Sequence, residues 1–207
     1  MLRNYYSNTR SELFFDQKRV HGKVLEIGCG NGEYLKGCKC EERWGVEPFE
    51  VPSSKKIFDK YFQSTLEDCF KDLPSNYFDN IIMNDVLEHI WDTEDALFKV
   101  HSLLNDGGKF RVSIPNVRYV ENLYLLIRNG TWDYKDFGIL DKTHMRFFTP
   151  KSFKKYFQSG WKLQSCNGIN PVGSCNGGSW KIVDFLLWIL RSDSRFLQHH
   201  FVFEKIK

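Results

Sequence analysis

The sequence predicts an α/β fold built on a doubly wound, mostly parallel sheet of seven strands. Three observations carry this expectation. Apolar runs with strand character alternate with helical patterns from Lys23 to Pro115, the order that right-handed β-α-β crossovers produce. The first run, Val24-Leu25-Glu26-Ile27, breaks into a turn with glycines at 28, 30 and 32, and a helical pattern follows. The fourth run, Asn80-Ile81-Ile82-Met83, is nearly continuous in apolar residues, as suits a strand covered on both faces.

Taken in order, residues 1–19 are polar and aromatic, with Tyr5, Tyr6, Phe14 and Phe15 at roughly helical spacing. That pattern suits a helix packed over a sheet edge. Strand one covers Lys23–Ile27, a helix runs from Asn31 to Cys38, and strand two covers Arg43–Glu47. Glu47 lies nineteen residues after Gly28, at the carboxyl end of strand two. An acid there can accept both hydroxyls of an adenosine ribose, and the plainer alternative is a solvated strand end. Lys60–Phe62 is strand three, and the stretch Ser75–Asp85 is a turn into strand four. An amphipathic helix then turns Leu97, Val100 and Leu104 inward and ends at Asn105-Asp106-Gly107-Gly108. Lys109–Pro115 is strand five. Between 116 and 150 the alternation breaks. A helix with Val120, Leu123, Tyr124 and Ile127 precedes an aromatic and charged insert, at the strand end where open α/β sheets bind ligands. Thr149-Pro150 caps a helix with Phe153, Tyr156 and Phe157 inward. Strand six is Trp161–Asn167, a loop covers 168–180, an apolar helix covers 181–190, and His200–Ile206 is the last strand.

Composition narrows the function. The 207 residues suffice for one α/β domain, and 18 phenylalanines promise an ample core. A formal charge of +3 without long blocks of like charge weighs against nucleic acid as a partner. The six cysteines (29, 38, 40, 69, 166, 175) form no C-x-x-C pair and no zinc-like spacing, so they read as reduced thiols. The polar N-terminus has no apolar signal core, and the longest apolar run, broken by Asp184, is far shorter than a bilayer. A cytoplasmic protein without a transmembrane segment is expected.

The glycine turn excludes one identity and suggests another. A dinucleotide fingerprint needs its third glycine at the sixth place, which here is Glu33. The remaining pattern, acidic-x-G-x-G-x-G from Glu26 to Gly32, resembles motif I of the class I S-adenosylmethionine-dependent methyltransferases. Four more stretches sharpen the resemblance: Tyr5-Tyr6-Ser7 with Arg10, Asp85-Val86-Leu87-Glu88-His89, Ile114-Pro115-Asn116-Val117-Arg118, and the block from Gly138 to Thr149. Together they look like a bacterial subgroup related to the ubiquinone-pathway O-methyltransferases, which accompanies capsule, lipopolysaccharide and other surface-glycan biosynthesis. The resemblance implies a Rossmann-like sheet whose last strand runs antiparallel beside the fifth, and S-adenosyl-L-methionine as cofactor. It implies that residues 1–19 lid the cofactor through Tyr5, Tyr6 or Arg10. It further implies cofactor contacts from Glu26, Gly28, Cys29, Gly30, Asn31, Gly32, Glu47, Pro48, Thr65, Leu66, Glu67, Asn84, Asp85 and His89. Where the family usually has an Asp for the adenine amino group this chain has Thr65, so Thr65, Glu67 and Asp68 remain alternatives.

Methyl transfer from a sulfonium is an in-line displacement, so alignment dominates and a hydroxyl acceptor gains from a nearby base. His144 has three readings. It is a general base with a pKa near neutrality, a metal ligand, or a hydrogen-bonded group that locks the insert. In the metal reading it joins Asp85, Glu88 and His89, whose i, i+3, i+4 spacing puts them on one face of a helix start. That set is similar to the Mg²⁺ cluster of small-RNA 2′-O-methyltransferases. Asp141 and Arg146 either pair, or Arg146 holds an anionic part of the acceptor. Trp132 and Tyr134 either stack on a sugar or pack. The catalytic expectation is His144, Asp85 and Arg146, acting on a hydroxyl of a sugar nucleotide or glycan precursor. Metal-assisted methylation of an RNA ribose and a non-catalytic binding module are the alternatives. The 181–190 helix pairs two subunits, packs on the sheet, or rests on a membrane.

Overall fold

The computed structural model describes residues 11–51, 56–172 and 180–207. Tyr5, Tyr6 and Arg10, and with them the lid expectation, lie outside the described residues. The elements are β1 (His21–Ile27), α1 (Glu33–Lys36), β2 (Lys39–Val46), β3 (Lys60–Phe62), α2 (Leu66–Cys69), β4 (Phe78–Asn84), α3 (Thr93–Leu103), β5 (Leu104–Pro115), α4 (Val120–Asn129), α5 (Pro150–Phe153), β6 (Trp161–Pro171), α6 (Trp180–Ile189) and β7 (Phe196–Lys205). The seven strands form one sheet in the order β3-β2-β1-β4-β5-β7-β6. β7 runs antiparallel to both β5 and β6, and the other pairings are parallel. The strand order reverses between β1 and β4, which opens a crevice outside their carboxyl ends. Ile27 pairs with Val46 on one side and Met83 on the other, so the ends of β1, β2 and β4 are level.

Alternation along β1 feeds two apolar layers. Leu25 and Ile27 join Trp44, Val46, Ile81, Met83, Leu97, Val100 and Phe153 in one core. Val24 joins Leu35, Tyr34, Phe58 and Ile82 in the other. Both faces of the central strands are therefore covered, which explains their lack of polar alternation. Through the second layer runs a buried polar link. Arg111 on β5 is 2% exposed, pairs with Asp16, and donates from Nε to Asn80 Oδ1 at 2.8 Å. Asp16 belongs to the 3₁₀ segment Ser11–Arg19, which is thus tied to the middle of the sheet and not laid over its edge by aromatics.

Several boundaries differ from expectation for local reasons. α1 is four residues long, because Gly32 at φ 74° cannot belong to a right-handed helix and Gly37 ends the turn. β5 starts directly at Leu104. The pair of glycines at 107 and 108 lies in a bulge of that strand, between the pairs Phe78–Leu104 and Asn80–Lys109, and does not end the helix. β6 continues to Pro171 and β7 begins at Phe196, since the two strands pair along that whole length. Tyr124 and Ile127 of α4 are exposed, and the buried residue of that helix is Asn122, which donates to the Val117 carbonyl at 2.7 Å. α6 does not pack on the sheet by its apolar stripe: Ile182, Phe185, Leu186 and Ile189 are exposed.

Candidate active site

The turn after β1 is shaped by close approach. Gly28 has φ +69°, and a Cβ there would stand 2.4 Å from Val86 Cγ2, so a side chain fits neither the torsion nor the space. Its N–H donates to the Val46 carbonyl at 2.8 Å, which holds the turn against β2. Asn31 accepts from the Glu33 N–H at 3.2 Å and so supports the entry to α1. Cys29 is buried, and burial pushes its thiol far up, so its side chain is packing material and only its backbone remains for a ligand.

Two acids flank the turn. Glu47 is 2% exposed, and its carboxylate accepts from the Gly30 N–H at 2.9 Å and the Phe49 N–H at 3.1 Å. Burial raises its pKa, and those two N–H groups oppose the rise. Glu26 is also buried. Burial, with Cys40 and Glu47 adding to it, holds its carboxyl well above the usual range. Glu26 Oε2 and Asn84 Oδ1 are buried with no hydrogen-bond partner among the described residues. Two orphaned acceptors at adjacent strand ends fit a ligand that brings N–H or ammonium donors, as the amino acid end of S-adenosylmethionine does. On the adenosine side, Thr65 caps α2, accepting from the Asp68 N–H at 3.2 Å and donating to its carboxylate at 2.8 Å. Leu66 is buried in the core, whereas Pro48, Glu67 and Asp68 are exposed.

The end of β4 carries the second half of the site. Asp85 adopts φ 53° and is gripped from two strands. Its Oδ1 accepts from Ser113 Oγ at 2.9 Å, and its Oδ2 accepts from Gln198 Nε2 at 3.0 Å. The following segment is a 3₁₀ turn, Leu87–His89, and α3 begins only at Thr93. The expected helical face of Asp85, Glu88 and His89 therefore does not form, and among the described residues the metal-like group is Glu88, His89 and His144 without Asp85. Glu88, His89 and His144 do meet: one ligand atom of each lies within 4.8 Å of the others. The insert is docked there by its backbone, with Met145 and Arg146 donating to the Glu88 carbonyl at 2.8 and 3.1 Å.

Both histidines are oriented from behind. His144 Nδ1 lies 2.9 Å from the Ile139 carbonyl, and His89 Nδ1 lies 3.2 Å from the Thr143 carbonyl. A carbonyl only accepts, so each Nδ1 carries a proton, and Nε2 of His144 is turned toward the cluster. His144 Nε2 stands 3.9 Å from Glu88 Oε1, and the two imidazoles meet edge to face at 4.7 Å. His144 is 6% exposed, and burial lowers its pKa, which keeps the ring neutral. The set of two histidines and one carboxylate suits a divalent transition metal better than Mg²⁺, which prefers oxygen ligands.

Asp141 and Arg146 do not pair. Asp141 accepts from Thr143 N and Oγ1 at 2.8 and 2.7 Å. Arg146 donates from Nε and Nη2 to the Trp91 carbonyl at 2.9 and 2.5 Å and lies over the Trp91 ring. Trp132 and Tyr134 pack around Phe147. Ser113 and Gln198, which grip Asp85, went unread in the sequence. Ser113 is a lone hydroxyl in an apolar strand, a usable signal, but Gln198 precedes the expected start of the last strand. A cleft of about 740 Å³ near the start of β6, lined by Phe98, His101, Tyr156 and Trp161, contains none of these groups.

This sheet order with an antiparallel last strand, a glycine turn at the switch point and an acid after the second strand defines a class I S-adenosylmethionine-dependent methyltransferase. The chain belongs to the Methyltransferase domain family, whose model matches residues 2–164. Solved structures share the fold at low identity. A SAM-dependent methyltransferase from Archaeoglobus fulgidus is 18% identical with TM-score 0.60, over 99% of this chain and 97% of that one. A Haloferax volcanii complex between the Trm112 methyltransferase activator and a methyltransferase gives 14% identity and TM-score 0.63, over 99% and 91%. The 1,6-didemethyltoxoflavin-N1-methyltransferase of Burkholderia thailandensis, with S-adenosylhomocysteine bound, gives 14% and 0.56, over 89% and 71%. No curated protein matches the chain. The protein is a methyltransferase that uses S-adenosyl-L-methionine.

Proposed function

We propose that this chain, as one methyltransferase domain over residues 1–207, methylates a hydroxyl of a sugar nucleotide or surface-glycan precursor. The observation that carries the reading is the meeting of Glu88, His89 and His144 beside the end of β4. When bound, S-adenosyl-L-methionine supplies a methyl group on a positively charged sulfur. Glu26 and Asn84 receive its amino acid end, and Glu47 its ribose, while the turn from Gly28 to Gly32 lets it approach the backbone. His144 is held neutral and oriented through Nδ1, so its Nε2 takes the acceptor's hydroxyl proton. The Glu88 carboxylate, 3.9 Å away, steadies the imidazolium that results. Asp85, fixed by Ser113 and Gln198, gives the acceptor a rigid acceptor group. Arg146 keeps guanidinium N–H groups for the diphosphate of a sugar nucleotide.

A second reading rests on the same cluster. Glu88, His89 and His144 would hold a divalent metal that draws the acceptor oxygen, and RNA ribose is then the competing acceptor. The modest charge of +3 argues against RNA. The test is methyl transfer to a panel of sugar nucleotides and to RNA, before and after chelation. Activity on a sugar nucleotide that survives chelation supports the base reading. Activity lost on chelation and restored by Zn²⁺ or Mn²⁺ supports the metal. Cofactor binding without transfer to any hydroxyl acceptor overturns the proposal.

A further inference from the structure

α6 lies beyond the family-matched residues 2–164, and it turns its apolar side to solvent. Ile182, Phe185, Leu186 and Ile189 occupy i, i+3, i+4 and i+7 of one helix face and are 52–70% exposed. Trp188 on the flank of that face and Leu190 just past the helix end are exposed as well, at 59% and 73%. Helices that pack on a sheet turn such a stripe inward.

The helix is fixed at the working rim of the sheet. Pro171 at the end of β6 pairs with Phe196 at the start of β7, and Gln198 pairs with Pro115 at the end of β5. α6 therefore leaves and rejoins the sheet at the carboxyl ends of the parallel strands, where Glu26, Glu47 and Asp85 stand. Asp184 holds it there through Arg195 Nε and Nη2 at 2.6 and 3.0 Å. Asp193 pairs with Arg118 just after β5, and Asn116 Nδ2 donates to the Asp193 carbonyl at 2.9 Å. α4 leaves the same rim with Leu125 and Ile127 exposed.

Charge selects the occupant. Arg195 and Arg118 neutralise the two acids of this region, Asp184 and Asp193. Lys181 near the start of the helix and Arg191 two residues past its end are exposed and have no ion-pair partner among the described residues. Helix-to-helix docking of a second copy would set Lys181 against Arg191 when antiparallel, or against its own counterpart when parallel, with no acid to offset either. Anionic headgroups satisfy both cations at once, and the Phe, Ile, Leu and Trp side chains enter the acyl boundary. No helix of the described residues is long and apolar enough to cross a membrane.

We propose that α6 is an interfacial anchor that lays the chain on an anionic lipid bilayer with the carboxyl rim of its sheet beside the headgroups. An acceptor carried on a lipid then reaches the site without leaving the membrane, a consequence that rests on the methyl-transfer reading above.

The test is flotation with vesicles of phosphatidylcholine alone and of phosphatidylcholine mixed equally with phosphatidylglycerol. The full chain floats with the mixed vesicles, far less with the neutral ones, and is released by high salt. Phe185→Ser with Ile189→Ser lowers flotation at least tenfold and leaves calorimetric cofactor binding unchanged. Lys181→Glu with Arg191→Glu lowers it about tenfold on the mixed vesicles only. Three results overturn the proposal: no flotation of the parent chain, flotation indifferent to the serine variant, or a dimer by light scattering that the serine variant dissolves. Loss of methyl transfer by itself leaves flotation untouched, so the two readings fall separately.

Discussion

Glu26, the proposed amine site, gives the first prediction. Its carboxyl is held well above the ordinary range by burial, and one oxygen has no partner among the described residues. A cationic amine beside that carboxyl favours its charged form, so if Glu26 receives the amine as proposed, cofactor binding is expected to lower its pKa and release protons. Calorimetry of S-adenosylhomocysteine in buffers of different ionisation enthalpy measures that release. The expected result is proton release that grows as the pH falls and disappears in Glu26→Gln; equal release in both proteins removes Glu26 from the amine site. His144 separates binding from turnover. His144→Gln is expected to hold the cofactor dissociation constant within about twofold while kcat falls on the order of 100-fold. Because burial lowers the His144 pKa, its base form persists below the usual 6.5, and the acid limb of kcat falls beneath that value. A variant with parental kcat, or equal losses in binding and turnover, sinks the role.

At the scale of elements, what was legible depended on whether the signal was local. The strand–turn–helix at 24–35 and the acid at Glu47 were legible because a glycine turn and its spacing are local facts. β3 was legible to the residue, as Lys60–Phe62. The packing of α4 and α6 was not legible, because an apolar stripe shows that a face wants cover without showing what covers it. The cluster of Glu88, His89 and His144 was read as residues but not as geometry, since a 3₁₀ turn replaces the expected helix start and redirects Asp85 to Ser113 and Gln198. Least legible was Asp16, which the sequence placed in a polar-aromatic segment packed over a sheet edge and the fold pairs with a buried arginine from β5. Removing one member of a buried ion pair strands the other charge. Asp16→Ala is therefore expected to cost about 3 kcal/mol or more in urea unfolding, and Asp16→Leu with Arg111→Met to recover part of it. A cost within about 0.5 kcal/mol for Asp16→Ala would mean that the segment is not anchored there.

The whole molecule is a sheet whose two covered faces and one open rim divide stability from chemistry, and pH reads the division. His199 and His200 on β7 lie within the covered region, at 4% and 1% exposure. Burial lowers both from 6.5 to about 4. Asp16 near His200 does not reverse this, because Arg111 already compensates that carboxylate and also repels an imidazolium. Between these values the unfolded chain binds more protons than the folded one. Stability is therefore full above pH 6.5 and is lost as the pH falls toward 4. The rim acids act with the opposite sign. Glu26 and Glu47 have raised pKa values, so acid protonates them in the folded state first and offsets part of the loss. Urea midpoints taken from pH 8 down to about pH 4.5 should be flat and then fall below the usual histidine pKa. The fall should steepen in Glu26→Gln, which has no carboxyl left to relieve, and flatten in His199→Asn with His200→Asn, whatever the absolute stability of that variant. A curve that keeps its midpoint down to the end of that range in the parent and in Glu26→Gln alike would mean that the covered faces admit protonated histidine.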